Sequence, residues 1–593
     1  MKVQGKVIKT LFNNLINHLS FFIAMKKAFL FFILIILLIP LASARSGSMQ
    51  LLSVAETSEG MEGRLADLYL EIENGHGRVF IDTFPLTMMD TQISTRFANE
   101  VACDFINRDC SKVDFFYTIR SQSSLLGGPS AGASIAVLTI STIEKYDLDE
   151  KTAITGTINS GGIIGNVGGI NEKIEAAANA GMKKILIPVQ NKIYGNESIN
   201  PVLHGQKLGV EVVEVWNLNQ AVYEFTGKVI EEVENDIEIP SFYTETMKHI
   251  SESICNKSII YLETVSAENS TYEPIIKEAN NLTLKAQVAL DEGKLYSAAS
   301  LCFGANIRYD HANMGQMNKS VNEVQEDLKE LSINLDASFT MLDWYEIETI
   351  TDLQAYMVVR ERLLGVEEHI TAVNALIEKD FFSALYQFAY AKERYSSALL
   401  WSEFLGKKGK KFDFSDEELE ISCIKKISEA QERIEYLKFF ALFPDLTSIS
   451  NDIQKAIEDL EEEDYALCLF KASKAKAETD MIINAIGGVE GLVDSKLEAA
   501  RKIISKNQKR GSFPLLGYSY FEYASTLKED NIASSLLYFE YAIEMSNLDM
   551  YFGKKGKSFR LINYRDFVYV LFGALIGIII YSKIFLRRRK IKP

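Results

Sequence analysis

Leu125-Leu126-Gly127-Gly128-Pro129-Ser130-Ala131-Gly132-Ala133-Ser134 is the stretch from which the fold of the first half of this chain is read. A serine directly after Gly-Gly-Pro, followed by small helix-compatible residues, stands where a tight loop turns into a helix. Pro129 suits the first helical turn, because the N–H it lacks has no intrahelical partner there. Unpaired amides at a helix start can stabilise an oxyanion opposite a nucleophile. Ser130 is therefore a candidate nucleophile, with Gly127 and Gly128 as candidate supports of the oxyanion. An ordinary N-capped helix fits the same residues.

A second stretch shifts the balance. Thr155-Gly156-Thr157 is followed by the turn-rich Gly161-Gly162-Ile163-Ile164-Gly165-Asn166-Val167-Gly168-Gly169 and then by Ile170-Asn171-Glu172-Lys173. Lys173, Ala176, Ala177 and Ala180 share one face of a helix, so the lysine can be pressed against a neighbouring helix and partly desolvated. Desolvation penalises the ammonium form and lowers the amine pKa, which makes a neutral amine available as a general base. Ser130 Oγ would then attack a peptide carbonyl, Lys173 would take the proton and pass it to the leaving amine, and Thr155 would orient either group. A lone helical lysine without the serine stretch reads as a solvated surface charge.

Both stretches resemble the proteolytic domain of Lon-type proteases, the serine–lysine peptidase family, over roughly residues 60–225. The matching motifs are Gly128 to Gly132, Thr155-Gly156, Gly168 to Lys173, and Ile185 to Pro188. The resemblance implies an α/β (α+β) domain, with Ser130 as nucleophile and Lys173 as base. Two positions depart from the family pattern: Gly127 stands where an acidic residue often precedes Gly-Pro-Ser, and Thr-Gly-Glu becomes Thr155-Gly156-Thr157. The family also carries an ATPase module, whereas no G-x-x-x-x-G-K-[ST] occurs here; Gly553-Lys554-Lys555-Gly556-Lys557-Ser558 has the wrong loop length. Expected substrates are peptides or chains already unfolded, cleaved without ATP.

Other chemistries find little support in the composition. A net charge of −17 over 593 residues argues against a nucleic-acid partner. The six histidines form no H-E-x-x-H and no Cys/His set at zinc spacing, so neither a metal nor a cofactor is expected. His76, in Gly75-His76-Gly77, reads as a turn residue, and the acidic run Glu461-Glu462-Glu463-Asp464 as a solvated helix end.

The two ends suggest an address. From Met25, itself a candidate start, Lys26 and Lys27 precede an apolar run from Ala28 to Leu41 and the small residues Ala42-Ser43-Ala44, the layout of a signal peptide; an uncleaved anchor is the other reading. Residues 567–586 are long and apolar enough for a transmembrane helix, and the basic tail 587–593 follows as a cytoplasmic end. The bulk of the chain is expected outside the cytoplasm. Six cysteines fall as three sequence-adjacent pairs, 103 and 110, 255 and 302, 423 and 468, although six cysteines allow 15 connectivities. Five glycosylation acceptor sequences stand at Asn196, Asn256, Asn269, Asn281 and Asn318.

The domain organisation expected is a signal or anchor over 1–45, a Lon-like domain over 50–230 and an all-α domain over 245–560, ahead of the membrane segment. Four segments of the α domain share an aromatic or bulky residue followed by small positions, starting at Leu295, Phe381, Asp464 and Asn531. They read as helical-hairpin repeats or as helices of an ordinary bundle. A role in presenting substrates or in forming a homo-oligomer is open, as is a catalytically inactive scaffold that binds partners through its helices.

Overall fold

The chain from Arg45 folds back on itself as a long antiparallel pair, β1 (Arg45–Thr57) and β2 (Gly60–Asn74), which runs from Arg45 opposite Ile72 to Thr57 opposite Gly60. The computed structural model describes residues 45–57, 60–86, 89–106, 108, 110–121, 129–165, 167–189, 200–230, 236–266, 271–437, 446–485 and 491–552, with Lys26, Phe572, Gly573 and Gly577. The signal segment and the helix expected over 567–586 lie outside the described residues, apart from those isolated positions. Among the described residues no helix is long and apolar enough to cross a membrane.

β3 (Val79–Phe84) pairs parallel with β4 (Val113–Ser121), which pairs antiparallel with β2. Between them runs α1 (Met89–Phe105). The serine turn, a short 3₁₀ segment at Pro129–Ala131, leads into α2 (Gly132–Glu144) and then β5 (Thr152–Ile154). β6 (Thr157–Asn159) and β7 (Ile163–Gly165) form a separate hairpin. α3 (Ile170–Asn179), β8 (Lys184–Pro188), α4 (Pro201–Leu208), β9 (Glu211–Val215) and α5 (Leu218–Thr226) complete the unit. The seven-stranded mixed sheet has the order β3-β4-β2-β1-β5-β8-β9.

Strand alternation places a core on each face. Leu51, Ile154 and Leu186 join α2 and α5 on one side, while Leu52, Ala153, Ile185 and Ile187 join Ile170, Ile174 and Ala177 of α3 on the other. The short apolar runs at 68–70, 79–81, 113–117 and 184–188 lie in strands, and the alanine-bearing segments at 130–145 and 171–181 lie largely in helices. The domain nevertheless begins at Arg45 rather than 50, because β1 is a strand the sequence reading did not name.

The rest is helical: α6 (Ser241–Thr264), α7 (Glu273–Asp291), α8 (Leu295–Gln316), α9 (Val321–Asp343), α10 (Ile350–Leu376), α11 (Phe381–Trp401), α12 (Asp416–Leu437), α13 (Thr447–Glu461), α14 (Tyr465–Ala485), α15 (Leu492–Lys509), α16 (Leu515–Leu527) and α17 (Ile532–Ser546). This region starts at Ser241, slightly before the expected 245. The four aromatic and alanine segments are the second helices of hairpins, α8 on α7, α11 on α10, α14 on α13 and α17 on α16. Asp380 and Asn531 cap α11 and α17 by accepting from the amides of Ser383 and Ser534. All six cysteines are paired as sequence neighbours: Cys103–Cys110, Cys255–Cys302 tying α6 to α8, and Cys423–Cys468 tying α12 to α14. Glu461 ends α13 as expected, but Asp464 is not simply solvated, since it binds Arg360 at 2.7 Å.

α1 is a wall shared by the two regions. Its buried Phe97, Ala98, Val101 and Ala102 belong to the sheet's core, and it packs against the serine turn. Its other contacts go to the helices: the Arg433 guanidinium lies 3.1 Å from the centroid of Phe97, and Lys506 Nζ is 2.6 Å from the Asp104 carboxylate. Ile163, from the β6–β7 hairpin, is part of the helical core.

Candidate active site

The serine turn is stapled to the end of β5 by the backbone. Gly156 N donates to the Ser130 carbonyl and Ala133 N donates to the Gly156 carbonyl, both at 3.0 Å. Ser134 Oγ adds a bond to the Ile154 carbonyl at 2.9 Å. Gly156 has no room for a side chain, since a Cβ would lie 2.5 Å from Ile164 Cγ2. One of the orphan amides of α2, that of Ala133, is thus committed to structure. Ser130 is half-buried, and its hydroxyl makes no hydrogen bond among the described residues.

Lys173 reaches the same point from the opposite face of the sheet. α3 lies very close to β2: a Cβ on Gly63 would stand 1.9 Å from the Glu172 carbonyl oxygen, so glycine is required for this approach. Ile170, Lys173, Ile174, Ala176 and Ala177 form the buried face. The expected face differed: Ala180 caps the helix and is exposed, because the helix ends one residue earlier. α3 packs on a neighbouring helix, α4, as expected, and on β1, β2 and β8 as well.

The Lys173 side chain is 2% exposed and its Nζ donates to Thr155 Oγ1 at 3.2 Å. Among the described residues no carboxylate lies within ion-pair distance of it. Burial pushes the amine down to about 8, with the nearby Glu172 charge opposing in part. A substantial neutral fraction therefore exists slightly above neutral pH, as a general base requires.

Ser130, Thr155 and Lys173 are thus gathered at the carboxyl end of β5, Ser130 on the segment heading α2 and Lys173 on α3. The amine is held by Thr155 rather than by Ser130 Oγ, a geometry in keeping with the looser hydrogen bonding of catalytic groups before substrate binds. Gly127 and Gly128 lie outside the described residues. Sequence reasoning missed the roles of Gly63 and Gly156 in bringing the elements together; a glycine inside the strand pattern around Gly63 is the signal for a close backbone approach. Among the described residues no group of three or more His, Cys, Asp or Glu is placed to hold a metal ion.

Comparison with known proteins bears on the same segment. Residues 121–223 match the family described as the Lon protease (S16) C-terminal proteolytic domain. The archaeal Lon protease of Archaeoglobus fulgidus is 35% identical over 122 residues, 20% of this chain and 18% of that protein. The archaeal Lon protease of Methanothermobacter thermautotrophicus is 37% identical over 87 residues, 15% and 14% of the two chains, and Lon protease 2 of Bacillus subtilis is 40% identical over 67 residues, 11% and 12%. The chain spans less than a fifth of the length of these relatives. The resemblance drawn from the serine and lysine motifs holds for this part of the chain.

Proposed function

We propose, from the premise that residues 121–223 carry a Lon-type proteolytic domain, that this protein is a serine endopeptidase with Ser130 as nucleophile and Lys173 as general base. The observation that carries the reading is a fully buried amine without a carboxylate partner among the described residues, held on the residue next to the one that staples the serine turn. When a peptide binds, the neutral amine takes the Ser130 hydroxyl proton as Oγ bonds to the carbonyl carbon. The ammonium then protonates the leaving amide nitrogen, the C–N bond breaks, and an acyl-enzyme remains. Water, deprotonated by the amine, attacks the ester, and the proton returns to Ser130 Oγ. Thr155 keeps the amine in register, and amides of the Gly127-Gly128 loop stabilise the oxyanion.

The lack of a phosphate-binding loop in the sequence supports ATP-independent action on flexible or unfolded polypeptides. The apolar runs near both ends support a chain anchored by residues 567–586 with its bulk outside the cytoplasm. Three disulfides using every cysteine support the same compartment. The exposed positions of Asn256, Asn281 and Asn318 fit glycosylation there.

The deciding experiment compares cleavage of casein or a fluorogenic peptide, without ATP, by wild type, Ser130→Ala and Lys173→Ala. Turnover by wild type alone is expected. Equal turnover in all three would remove the dyad, and none in any would favour a catalytically inactive scaffold. For topology, protease added to intact cells should degrade residues 46–560; their protection would refute the outward orientation.

A further inference from the structure

The β6–β7 hairpin has a particular place in the chain: Thr155 and Gly156 lead into it, and the helix carrying Lys173 follows it. Its strands form a two-stranded sheet apart from the seven-stranded one. Packing must therefore hold it, together with a backbone bond from Ile164 N to the Trp216 carbonyl at 2.8 Å. Successive residues of β7 point to opposite sides. Ile163 is buried in the core of the helical region and Ile164 in the core of the sheet. Ile164 Cγ2 is the atom that a Cβ on Gly156 would meet at 2.5 Å, and Gly156 N holds the Ser130 carbonyl. A strand of three residues thus joins the helical core to the staple of the serine turn.

On the helical side the contact is made by one helix. α15 meets the peptidase domain along a stripe at helical spacing. A Cβ on Gly491, its N-cap, would stand 2.8 Å from Trp216 Cη2. Ala499 Cβ lies 2.8 Å from where a Cβ on Gly161 would be, and Gly161 is held at a φ of +77° that favours glycine. Further along, Lys502 Nζ lies 4.2 Å from the Phe105 ring centroid and Lys506 pairs with Asp104. Phe105 closes on the hairpin in turn, since a Cβ on Gly162 would be 2.7 Å from its ring. The hairpin tip is clamped between α15 and the end of α1.

We propose that α15 is a strut that sets the serine turn through β7, with Ala499 and Ile163 as positioning residues of the peptidase. The route is steric, because close-packed interiors transmit displacement instead of absorbing it. A side chain larger than alanine at 499 pushes the hairpin tip, Ile164 shifts against Gly156, and the amides of Gly156 and Ala133 lose alignment with their carbonyl partners. Cleavage is thereby made conditional on docking of the helical region. That consequence rests on the assignment of Ser130 and Lys173, whereas the mechanical link does not.

The test uses the full chain and two readouts. Hydrogen–deuterium exchange read by mass spectrometry follows the staple, in peptides covering 130–136 and 153–158, with β4 as reference. Cleavage of a fluorogenic peptide follows its use. Ala499→Leu should speed exchange in both staple peptides about tenfold and leave β4 unchanged. It should also lower kcat about tenfold with KM unchanged, since reacting groups are misplaced while substrate contacts remain. Ile163→Ala loosens the same contact instead of crowding it, and reads the same coupling if Ala499→Leu does not fold. Leu328→Ala, on α9 in the same helical core, is the control and should leave the staple peptides as in wild type. Unchanged staple exchange in both variants, or a loosened staple with full kcat, would overturn the strut. So would faster exchange across the whole peptidase domain or an equal response in Leu328→Ala, which mark general destabilisation. A loosened staple in a chain whose wild type cleaves nothing would uphold the mechanical link and overturn the peptidase reading.

Discussion

Two lysines buried to nearly the same degree behave in opposite ways. Lys173 on α3 is 2% exposed, and the hydroxyl of Thr155 is its hydrogen-bond partner. Lys476 on α14 is 3% exposed, yet its amine lies 3.0 Å from Glu544 and 3.2 Å from Glu429. Burial pushes both amines down. For Lys476 the charges of Glu544, Glu429 and Glu100 outweigh it and hold the pKa well above the ordinary value, while Lys173 falls to about 8. Burial by itself does not lower a lysine's pKa; burial away from carboxylates does. Around Lys476 the same desolvation builds a structural cluster at the junction with α1, where burial and the Glu429 charge push Glu100 up to about 7.

The strongest way to break this contrast is to restore a permanent charge at the site. Lys173→Arg keeps the cation but cannot deprotonate near neutral pH, and cleavage should fall at least ~10³-fold, as for loss of a catalytic base. Residual activity within tenfold of wild type would show that the amine is not the base. In the wild type, kcat/KM should rise with pH and level off above about 8, as the amine becomes neutral.

Next in size is the structural lysine. Lys476→Met leaves Glu544 and Glu429 buried with less compensation and should cost ~3–5 kcal/mol of stability, read by denaturant unfolding. If the variant unfolds at the wild-type midpoint, the cluster does not stabilise the fold. Gly63→Ala pushes a methyl into the Glu172 carbonyl. It should destabilise by ~1–3 kcal/mol and reduce cleavage, because the strain is relieved by moving α3 and with it Lys173. Full activity with unchanged melting would remove the close approach from the account.

The smallest effect has the opposite sign. Holding an amine at about 8 instead of 10.5 costs the folded state on the order of 3 kcal/mol at neutral pH. Between those values the unfolded chain binds more protons, so wild-type stability should climb as pH rises from about 8 to about 10.5; below pH 8 the penalty is fully present. Lys173→Met should abolish that climb and be ~1–2 kcal/mol more stable at pH 7, after allowing for the lost bond to Thr155. A destabilised, inactive Lys173→Met would make the lysine structural, like Lys476.

Much of the site was legible because its chemistry is written in contiguous residues. Gly-Pro-Ser and the lysine on an alanine-bearing helix marked Ser130 and Lys173 as candidates, and the Thr-Gly step between them marked Thr155, which the structure places beside the Lys173 amine. Strands marked by short apolar runs, such as Val113 to Tyr117, were equally plain. β1 was not, since Arg-Ser-Gly-Ser-Met-Gln is too polar to announce a strand. The extent of the lysine's buried face was misjudged at Ala180, because a helix terminus depends on local capping that periodicity does not report.

By itself the sequence determined the local elements and the pair of candidate catalytic side chains, because short-range spacing and side-chain chemistry are properties of the chain, whereas the pairing of the six cysteines came from the structure. Tertiary structure decided the rest. The serine turn and Lys173 both reach the end of β5, at Gly156 and Thr155, because α2 and α3 cover opposite faces of one sheet. Whether a buried lysine's pKa falls or rises was settled by which carboxylates the fold brings within reach. That contact is non-local: Lys476 finds Glu544 across 68 residues, and Lys173 finds none among the described residues.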